Sequence, residues 1–164
     1  AKYIDIYTRP NKQHLAQSFA QKMFSIQKRV DTVMISGNDL MQASMSGPDH
    51  CAIIISYSGE TSHILHLAKK LKSKHTPIIA ITSISKSTLV NLSNVSLRIS
   101  SREMLNTKIG DFASTESITC ILDILYSCYF SLNYKDNLNY KLSIAGEIDD
   151  QYSEYEYIDE TKIK

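Results

Sequence analysis

Short runs rich in Ile and Val alternate along this chain with segments of helical periodicity, and this alternation constrains the fold more than any other feature. The runs with strand character are residues 2–8, 32–36, 51–56, 77–82 and 95–100. Two of them are continuously apolar, as in parallel strands that are covered on both faces. Because helical crossovers join parallel strands, we expect a three-layer α/β/α domain with about five parallel strands in a doubly wound, flavodoxin-like order.

Three segments place apolar side chains at the three- and four-residue steps of an amphipathic helix. They are residues 11–29, 61–74 and 112–132. The last of these carries Cys120 and Cys128 near its apolar flank, and Cys51 opens a strand run. No CxxC spacing occurs, so we expect all three cysteines to be reduced core residues and neither disulfide partners nor zinc ligands.

The composition indicates one ordinary globular domain with no bias toward nucleic acid. The chain has 164 residues, is 43% hydrophobic and carries a formal net charge of +1. No apolar run approaches the roughly 18 residues that span a membrane, and no charged leader opens the chain, which predicts a cytoplasmic protein without membrane contact. Because Ala1 leads almost directly into a strand run, we expect the chain to be a piece of a longer protein.

The charge balance changes near residue 134. Residues 1–134 carry a net charge of +5, and residues 135–164 carry −4. This shift predicts a domain over residues 1–133, followed by an acidic C-terminal extension over residues 134–164. In that extension Tyr155 and Tyr157 alternate with acids, a pattern compatible with a packed extended arm, a short edge strand or a mobile acidic tail.

The sequence "SYSGET", here called the hydroxyl loop, occupies residues 56–61, where the third strand run meets the following helix. Ligands of open α/β sheets bind outside the carboxyl ends of the strands, where loops lead into helices. Gly59 permits a tight turn at this position. The hydroxyls of Ser56, Ser58 and Thr61 can donate hydrogen bonds beside the free N–H groups of the first helical turn. The loop therefore predicts a neutral cradle for a phosphate group.

A purely structural role is the alternative for the same loop. Ser58 or Thr61 would then cap the helix, with Glu60 near the positive end of the helix dipole. His63 and His66 follow one helical turn apart, which raises the question of a metal site. The apolar stripe of the helix places His66 on the opposite face and His63 at its flank, so we expect solvated positions and no metal.

A longer segment resembles a known family. The stretch "IIISYSGETSHILHLAKKLKSKHTPIIAITSISKSTLVNLSNVSLRI" resembles the sugar isomerase (SIS) domain, and most specifically the C-terminal effector domain of RpiR-type bacterial transcriptional regulators. The similarity covers most of residues 2–132, and "ASTESITCILDILY" resembles the end of that domain. The resemblance implies a phosphosugar-binding module, commonly a homodimer, whose helix-turn-helix DNA-binding domain lies outside this chain.

The resemblance also implies which residues hold the ligand. Carried over position by position, the phosphosugar site comprises the hydroxyl loop and the end of the next strand: Ser56, Tyr57, Ser58, Gly59, Thr61, Thr82 and Ser83. SIS domains usually have a second Gly/Ser-rich loop after the first strand, but here that position reads "TRPNKQ". The glycines are missing, so Arg9 and Lys12 are weaker candidates for ligand contact, together with Glu116 near the start of the last helix.

Three functions fit these observations. The favoured one is a sensor domain that binds a phosphosugar and has no catalytic residue, cofactor or metal. The alternative is a phosphosugar aldose–ketose isomerase, which needs a general base, for which Glu116 and Glu103 are the acidic candidates. The third is a SIS-like scaffold without a ligand, which the missing glycines after Thr8 would explain.

Overall fold

The computed structural model describes residues 1–35, 37–84, 86–99, 103 and 110–152, with side chains as far as residue 147. The described part alternates strands and helices from its start to residue 98 and ends in two helices. A short 3₁₀ turn joins the first strand to the first helix. The elements are β1 (Tyr3–Thr8), α1 (Gln13–Phe24), β2 (Val30–Met34), α2 (Asp39–Met45), β3 (His50–Ile55), α3 (Ser62–Ser73), β4 (Ile78–Thr82), α4 (Thr88–Leu92), β5 (Val95–Arg98), α5 (Phe112–Leu132) and α6 (Tyr134–Tyr152).

The five strands form one parallel sheet in the order β2-β1-β3-β4-β5. In the register, Ile6 of β1 lies opposite Thr32 of β2 on one side and Ile53 of β3 on the other. The chain reaches β2 from β1 and then returns across the sheet to β3. The carboxyl ends of β1 and β3 therefore flank the topological switch point, where ligands of such sheets bind. The predicted doubly wound, flavodoxin-like order is confirmed.

Helices cover both faces of the sheet, which confirms the predicted three layers. On one face α1 and α5 pack on β1, β3 and β4 through residues such as Phe19, Ile118 and Ile53. On the other face α2, α3 and α4 pack through residues such as Leu67 and Ile54. Burying a side chain of this size removes about 1.5–3 kcal/mol of unfavourable hydration, so both clusters stabilise the sheet between them.

The helix predictions were confirmed where the apolar period is long. α5 has the expected bounds, and α1 and α3 lie inside the predicted segments. α2 and α4 were not predicted, because their 7 and 5 residues are too short to establish a period. α6 was not predicted either: it is a helix at the start of the acidic extension, while Tyr155 and Tyr157 lie outside the described residues. None of the described helices is long and apolar enough to cross a membrane.

The expectation that all three cysteines lie in the core was wrong for two of them. Cys120 and Cys128 are exposed on α5, and Cys51 in β3 is partly buried. α5 packs on the sheet through a narrow stripe that includes Ile118 and Leu122, and the cysteines lie outside it. Burial raises the pKa of the Cys51 thiol, which favours its protonated, unreactive form.

Candidate ligand site

A cleft of about 180 Å³ lies at the switch point between β1 and β3. The loops that follow these two strands form its walls, and the start of α5 contributes an apolar side chain. We call it the hydroxyl cleft. The residues that line it are Thr8, Arg9, Asn11, Lys12, Ile55, Ser56, Tyr57, Ser58, Thr61 and Ile118.

Gly59 determines the path of the hydroxyl loop. Its φ is +65°, in the left-handed region, and a Cβ at this position would lie 2.4 Å from the Ser87 hydroxyl oxygen. The Gly59 carbonyl accepts a hydrogen bond from the Leu89 N–H at 3.1 Å, which ties the loop to α4. Both the backbone conformation and the close approach require glycine here.

The serines of the loop accept hydrogen bonds from the loop's own backbone. The Gly59 N–H donates to the Ser56 hydroxyl oxygen at 3.2 Å, and the Glu60 N–H donates to the Ser58 hydroxyl oxygen at 3.3 Å. A hydroxyl that accepts one such bond keeps its own hydrogen free to donate. The serines can therefore shape the loop and donate to a bound anion at the same time.

Thr61 occupies the N-cap position of α3 without capping the helix through its side chain. Its backbone is extended, with φ −65° and ψ 124°, and no helix N–H donates to its hydroxyl. An N-cap threonine ordinarily accepts such a bond from the N–H two or three residues later. Here Thr61 is exposed and lines the cleft beside the N-terminus of a 12-residue helix. The predicted capping alternative therefore does not describe either Thr61 or Ser58.

Residues behind the loop hold it in place. The Thr82 and Ser83 hydroxyls donate to the Tyr57 carbonyl at 3.0 and 2.6 Å, and neither residue lines the cleft. The sequence resemblance predicted that both would line the pocket; here their hydroxyls bind the Tyr57 carbonyl, and their contact with a ligand stays a prediction. Glu60 does not stabilise the start of α3, as the capping alternative predicted. Its carboxylate accepts the Thr88 N–H at 2.6 Å and so stabilises the start of α4.

Residues 9–12 after β1, here called the charged loop, bring two cations to the cleft. The two differ in whether an acid already pairs with them. The Lys12 ammonium forms an ion pair with Asp111 and donates to the Thr115 hydroxyl, and only 11% of its side chain is exposed. Arg9 is exposed, and in the part of the chain that the structure describes its guanidinium has no acidic partner. Arg9 is therefore the cation available to an incoming anion, while the charge of Lys12 is already compensated.

A second cleft of about 340 Å³ adjoins the first, and Arg9 and Thr61 line both. Its other walls are residues after β2 and the first turn of α3, including His63. The His63 Nε2 lies 2.5 Å from a carboxylate oxygen of Asp39, which is fully buried. The Gly37 N–H donates to the other Asp39 oxygen at 3.0 Å. The prediction of a solvated His63 is therefore correct only in part, because 41% of its side chain is exposed while its Nε2 contacts Asp39 of another element.

A second buried carboxylate lies deeper under the same face of the sheet. Asp5 in β1 accepts a hydrogen bond from the Ser46 hydroxyl at 3.2 Å and contacts the His50 Nδ1 at 2.8 Å. Burial, with a smaller contribution from the charges of Asp5 and Asp39, raises the pKa of Tyr7 well above its usual range. Tyr7 is therefore protonated at neutral pH. The bond from Ser46, at the end of α2, to Asp5 of β1 fastens α2 to the sheet.

The remaining candidates and the unpredicted residues complete the site. Glu116 is exposed on the first turns of α5 and lines neither cleft, so its contact with a ligand stays a prediction. Four residues line the hydroxyl cleft but were not predicted: Thr8, Asn11, Ile55 and Ile118. The position of Thr8 at the carboxyl end of β1 is the signal that could have identified it. Among the described residues no cluster of three potential His, Cys, Asp or Glu ligands could hold a metal ion.

Comparisons with known proteins agree with this fold and assign the chain to a family. The family model of the SIS domain matches residues 1–127, and the chain belongs to the SIS domain family. An uncharacterized HTH-type transcriptional regulator of Thermotoga maritima is 37% identical over 107 residues, which cover 63% of this chain. The matched segment spans only 37% of that regulator's length.

Two solved structures share the fold. The Vibrio vulnificus NanR protein complexed with ManNAc-6P has a TM-score of 0.78 and 22% identity, over 90% of this chain and 56% of that one. The sugar isomerase domain of the RpiR transcription factor from Sphaerobacter thermophilus has a TM-score of 0.72 and 12% identity, over 88% of this chain and 79% of that one. At these identities the similarity concerns the fold.

Proposed function

We propose that this SIS domain binds a phosphorylated sugar in the hydroxyl cleft and thereby controls a bacterial transcription regulator. The observation that carries this proposal is the Thr61 hydroxyl. Thr61 lines the cleft at the N-terminus of α3, and the helix does not use its hydroxyl. Helix N-termini favour anions because their first N–H groups have no partner within the helix.

The other walls of the cleft suit a phosphate group as well. Ser56 and Ser58 present hydroxyl hydrogens, and Arg9 supplies a charge that no described acid compensates. Hydrogen bonds to a charged group contribute roughly 1.5–3 kcal/mol each, so a few of them provide useful affinity. The ManNAc-6P held by the structurally similar NanR supports a sugar phosphate as the ligand.

The regulatory part of the proposal places DNA binding outside these residues. The Thermotoga relative is a regulator of the helix-turn-helix type, and this chain matches only part of it. In our proposal a helix-turn-helix domain of the same protein contacts DNA in the bacterial cytoplasm. The ligand alters that contact to the extent that it binds the two states of the regulator with different affinity.

We also propose that the domain forms a homodimer through α5 and α6. Large apolar side chains are exposed along these helices, and contiguous apolar surface of this kind usually marks an interface. They include Phe112, Ile124, Leu132 and Leu142. Light scattering coupled to gel filtration tests this part: a mass near twice 18.5 kDa supports the dimer, and a monomer at all concentrations rejects it.

Titration calorimetry and thermal shift with matched sugars test ligand binding. Hexose, pentose and amino-sugar phosphates are each compared with the unphosphorylated sugar. A ligand at 100 times its Kd stabilises the folded state by about 2.7 kcal/mol. In the double variant Ser58→Ala with Thr61→Val the affinity for the bound phosphosugar should fall about 100-fold, since two hydrogen bonds to the phosphate are lost.

The control is Ser73→Ala, at the opposite end of α3, which should bind like the wild type. Equal affinity of the double variant and the wild type would reject the hydroxyl loop as the phosphate site. If no phosphosugar binds at millimolar concentration, the scaffold interpretation replaces the sensor.

A turnover assay on the same ligands separates sensor from isomerase. Moving a proton between neighbouring carbons requires a general base within hydrogen-bonding distance of the substrate. The described residues that line the hydroxyl cleft include no Asp, Glu or His. At the hydroxyl cleft itself we therefore expect binding without conversion of aldose to ketose phosphate. Conversion that disappears in Glu116→Gln, or in His63→Gln in the adjoining cleft, would instead establish the enzyme.

A further inference from the structure

The second cleft continues the hydroxyl cleft along the carboxyl edge of the sheet. The two share Arg9 and Thr61, so a ligand anchored at the hydroxyl loop can extend past these residues into the second space. The second cleft has almost twice the volume of the first, about 340 Å³ against 180 Å³. A phosphate occupies only a small part of the combined space.

His63 is the polar ring in that second space, and its orientation is fixed. One carboxylate oxygen of the buried Asp39 accepts a hydrogen bond from His63 Nε2. The other oxygen of Asp39 accepts a hydrogen bond from the Gly37 N–H. A carboxylate can only accept, so the Nε2 atom carries the hydrogen, and in the neutral ring Nδ1 is left with a free lone pair. The His63 side chain is 41% exposed. Its Nδ1 is therefore an acceptor without a partner among the described residues.

The Asp5–His50 pair is a second contact between a histidine and a buried aspartate, and its role is structural. His50 also contacts a fully buried carboxylate, but its ring stacks on Tyr3 with the centroids 4.8 Å apart. It lines none of the clefts described above, and only 17% of its side chain is exposed. His63 differs because it is more exposed and faces a cleft that adjoins the hydroxyl loop.

We infer that His63, oriented by Asp39, accepts a hydrogen bond from a hydroxyl or amide N–H on the part of the phosphosugar remote from the phosphate, and thus determines which sugar is bound. This inference rests on the proposed function. Asp39 is a positioning residue, because it acts on the ligand only through the ring of His63. The hydroxyl loop recognises the phosphate common to all candidates, and His63 distinguishes among the sugars attached to it.

The test compares ligands that fill both clefts with ligands that fill one. Titration calorimetry measures the tightest-binding hexose or amino-sugar phosphate, then glycerol 3-phosphate and inorganic phosphate. In His63→Gln, whose amide can still donate to Asp39, affinity for the sugar phosphate should fall about tenfold. Affinity for the two small phosphates should be unchanged. His66→Gln, on the exposed face of the same helix, should match the wild type for all three.

NMR gives a readout that a merely structural role would not move. The ring ¹⁵N shifts of His63 should indicate the Nε2–H tautomer, and Nδ1 should shift when the sugar phosphate binds but not when inorganic phosphate binds. In Asp39→Asn the amide can donate to His63 Nε2, so the tautomer should change and sugar-phosphate affinity should fall as in His63→Gln.

The outcomes separate this inference from the proposed function. If the wild type binds no phosphate compound, the proposed function fails and the inference fails with it. If the wild type binds and His63→Gln binds equally well, only the inference fails. An equal loss for sugar phosphate and inorganic phosphate would also overturn it, since His63 would then merely support the start of α3.

Discussion

The hydroxyl loop after β3 and the charged loop after β1 meet the same cleft with different chemistry. The residues of the hydroxyl loop that line the cleft are uncharged, because Glu60 binds the Thr88 N–H instead, and the loop's shape depends in part on the bonds that Ser56 and Ser58 accept. The charged loop has two cations but no glycine, and one of them, Lys12, is bound to α5. The first loop thus has its cleft-lining residues within six positions and is braced from behind by residues near β4 and α4, whereas one cation of the second is bound to a distant part of the chain.

The difference suggests a division of labour at the cleft. In the proposed function the uncharged cradle holds the phosphate without a buried counter-charge. The exposed Arg9 adds attraction at the open side, where solvent and salt weaken it. Lys12 holds α5 against the charged loop. The four predictions below test this comparison.

Gly59→Ala should have the largest effect. The left-handed backbone costs a non-glycine residue about 1–2 kcal/mol, and crowding against Ser87 adds about 1–3 kcal/mol. We expect the free energy of unfolding to fall by about 2–5 kcal/mol, measured by urea denaturation. Gly47→Ala is the control, since the added Cβ would lie 3.4 Å from an Asp49 side-chain oxygen, an ordinary contact, and should cost little. Equal, small losses in both variants would mean that the loop is not held by close packing.

Lys12→Met should lower stability next most strongly. The pair with Asp111 is neither fully exposed nor fully buried, with 11% and 37% of the two side chains accessible. Exposed pairs contribute up to about 1 kcal/mol and buried ones cost about 3–5 kcal/mol when one partner is removed, so we expect a loss of about 1–3 kcal/mol. The matched variant Arg9→Met should unfold within about 0.5 kcal/mol of the wild type. A larger loss in Arg9→Met would reverse the assigned roles.

The sequence predicted the hydroxyl loop better than the charged loop for a physical reason. Glycine and hydroxyl spacing are local requirements, so residues 56–61 could be identified from their own order. The roles of Arg9 and Lys12 could not be separated, because Thr115, one partner of Lys12, lies 103 positions later. The repeating strand and helix pattern likewise predicted the sheet, since periodicity is local and parallel order follows from it.

His63 illustrates the same limit within the site. Helical periodicity correctly placed it at the flank of the apolar stripe, but its environment depends on Asp39, 24 positions earlier. Thr82 and Ser83 were predicted to line the pocket, but which way their hydroxyls point depends on the Tyr57 carbonyl. Sequence patterns therefore predicted which segments meet at the cleft and not which partner each side chain would choose.

Arg9→Met should lower the affinity for the phosphosugar, whereas Lys12→Met should lower the free energy of unfolding. Loss of a charged hydrogen bond should weaken phosphosugar binding about tenfold, as measured by calorimetry at low salt. Raising the salt concentration should weaken phosphosugar binding by the wild type more than binding by Arg9→Met, because the variant lacks the charge that salt screens. A greater loss of affinity in Lys12→Met would show that Lys12 leaves Asp111 to bind the ligand, and the two cations would exchange roles.

Glu60→Ala should have the smallest effect, and it tests whether the hydroxyl loop is also anchored from outside. The Glu60 carboxylate accepts the Thr88 N–H at 2.6 Å, so its loss should cost about 1 kcal/mol of stability at the start of α4. Glu60→Gln keeps an acceptor but loses the charge, so it should cost about half as much. Amide hydrogen exchange at Thr88 and Gly59 measures the result locally. Faster exchange at Thr88 alone means that the loop keeps its shape without this anchor, while faster exchange at both means that α4 and the loop open together.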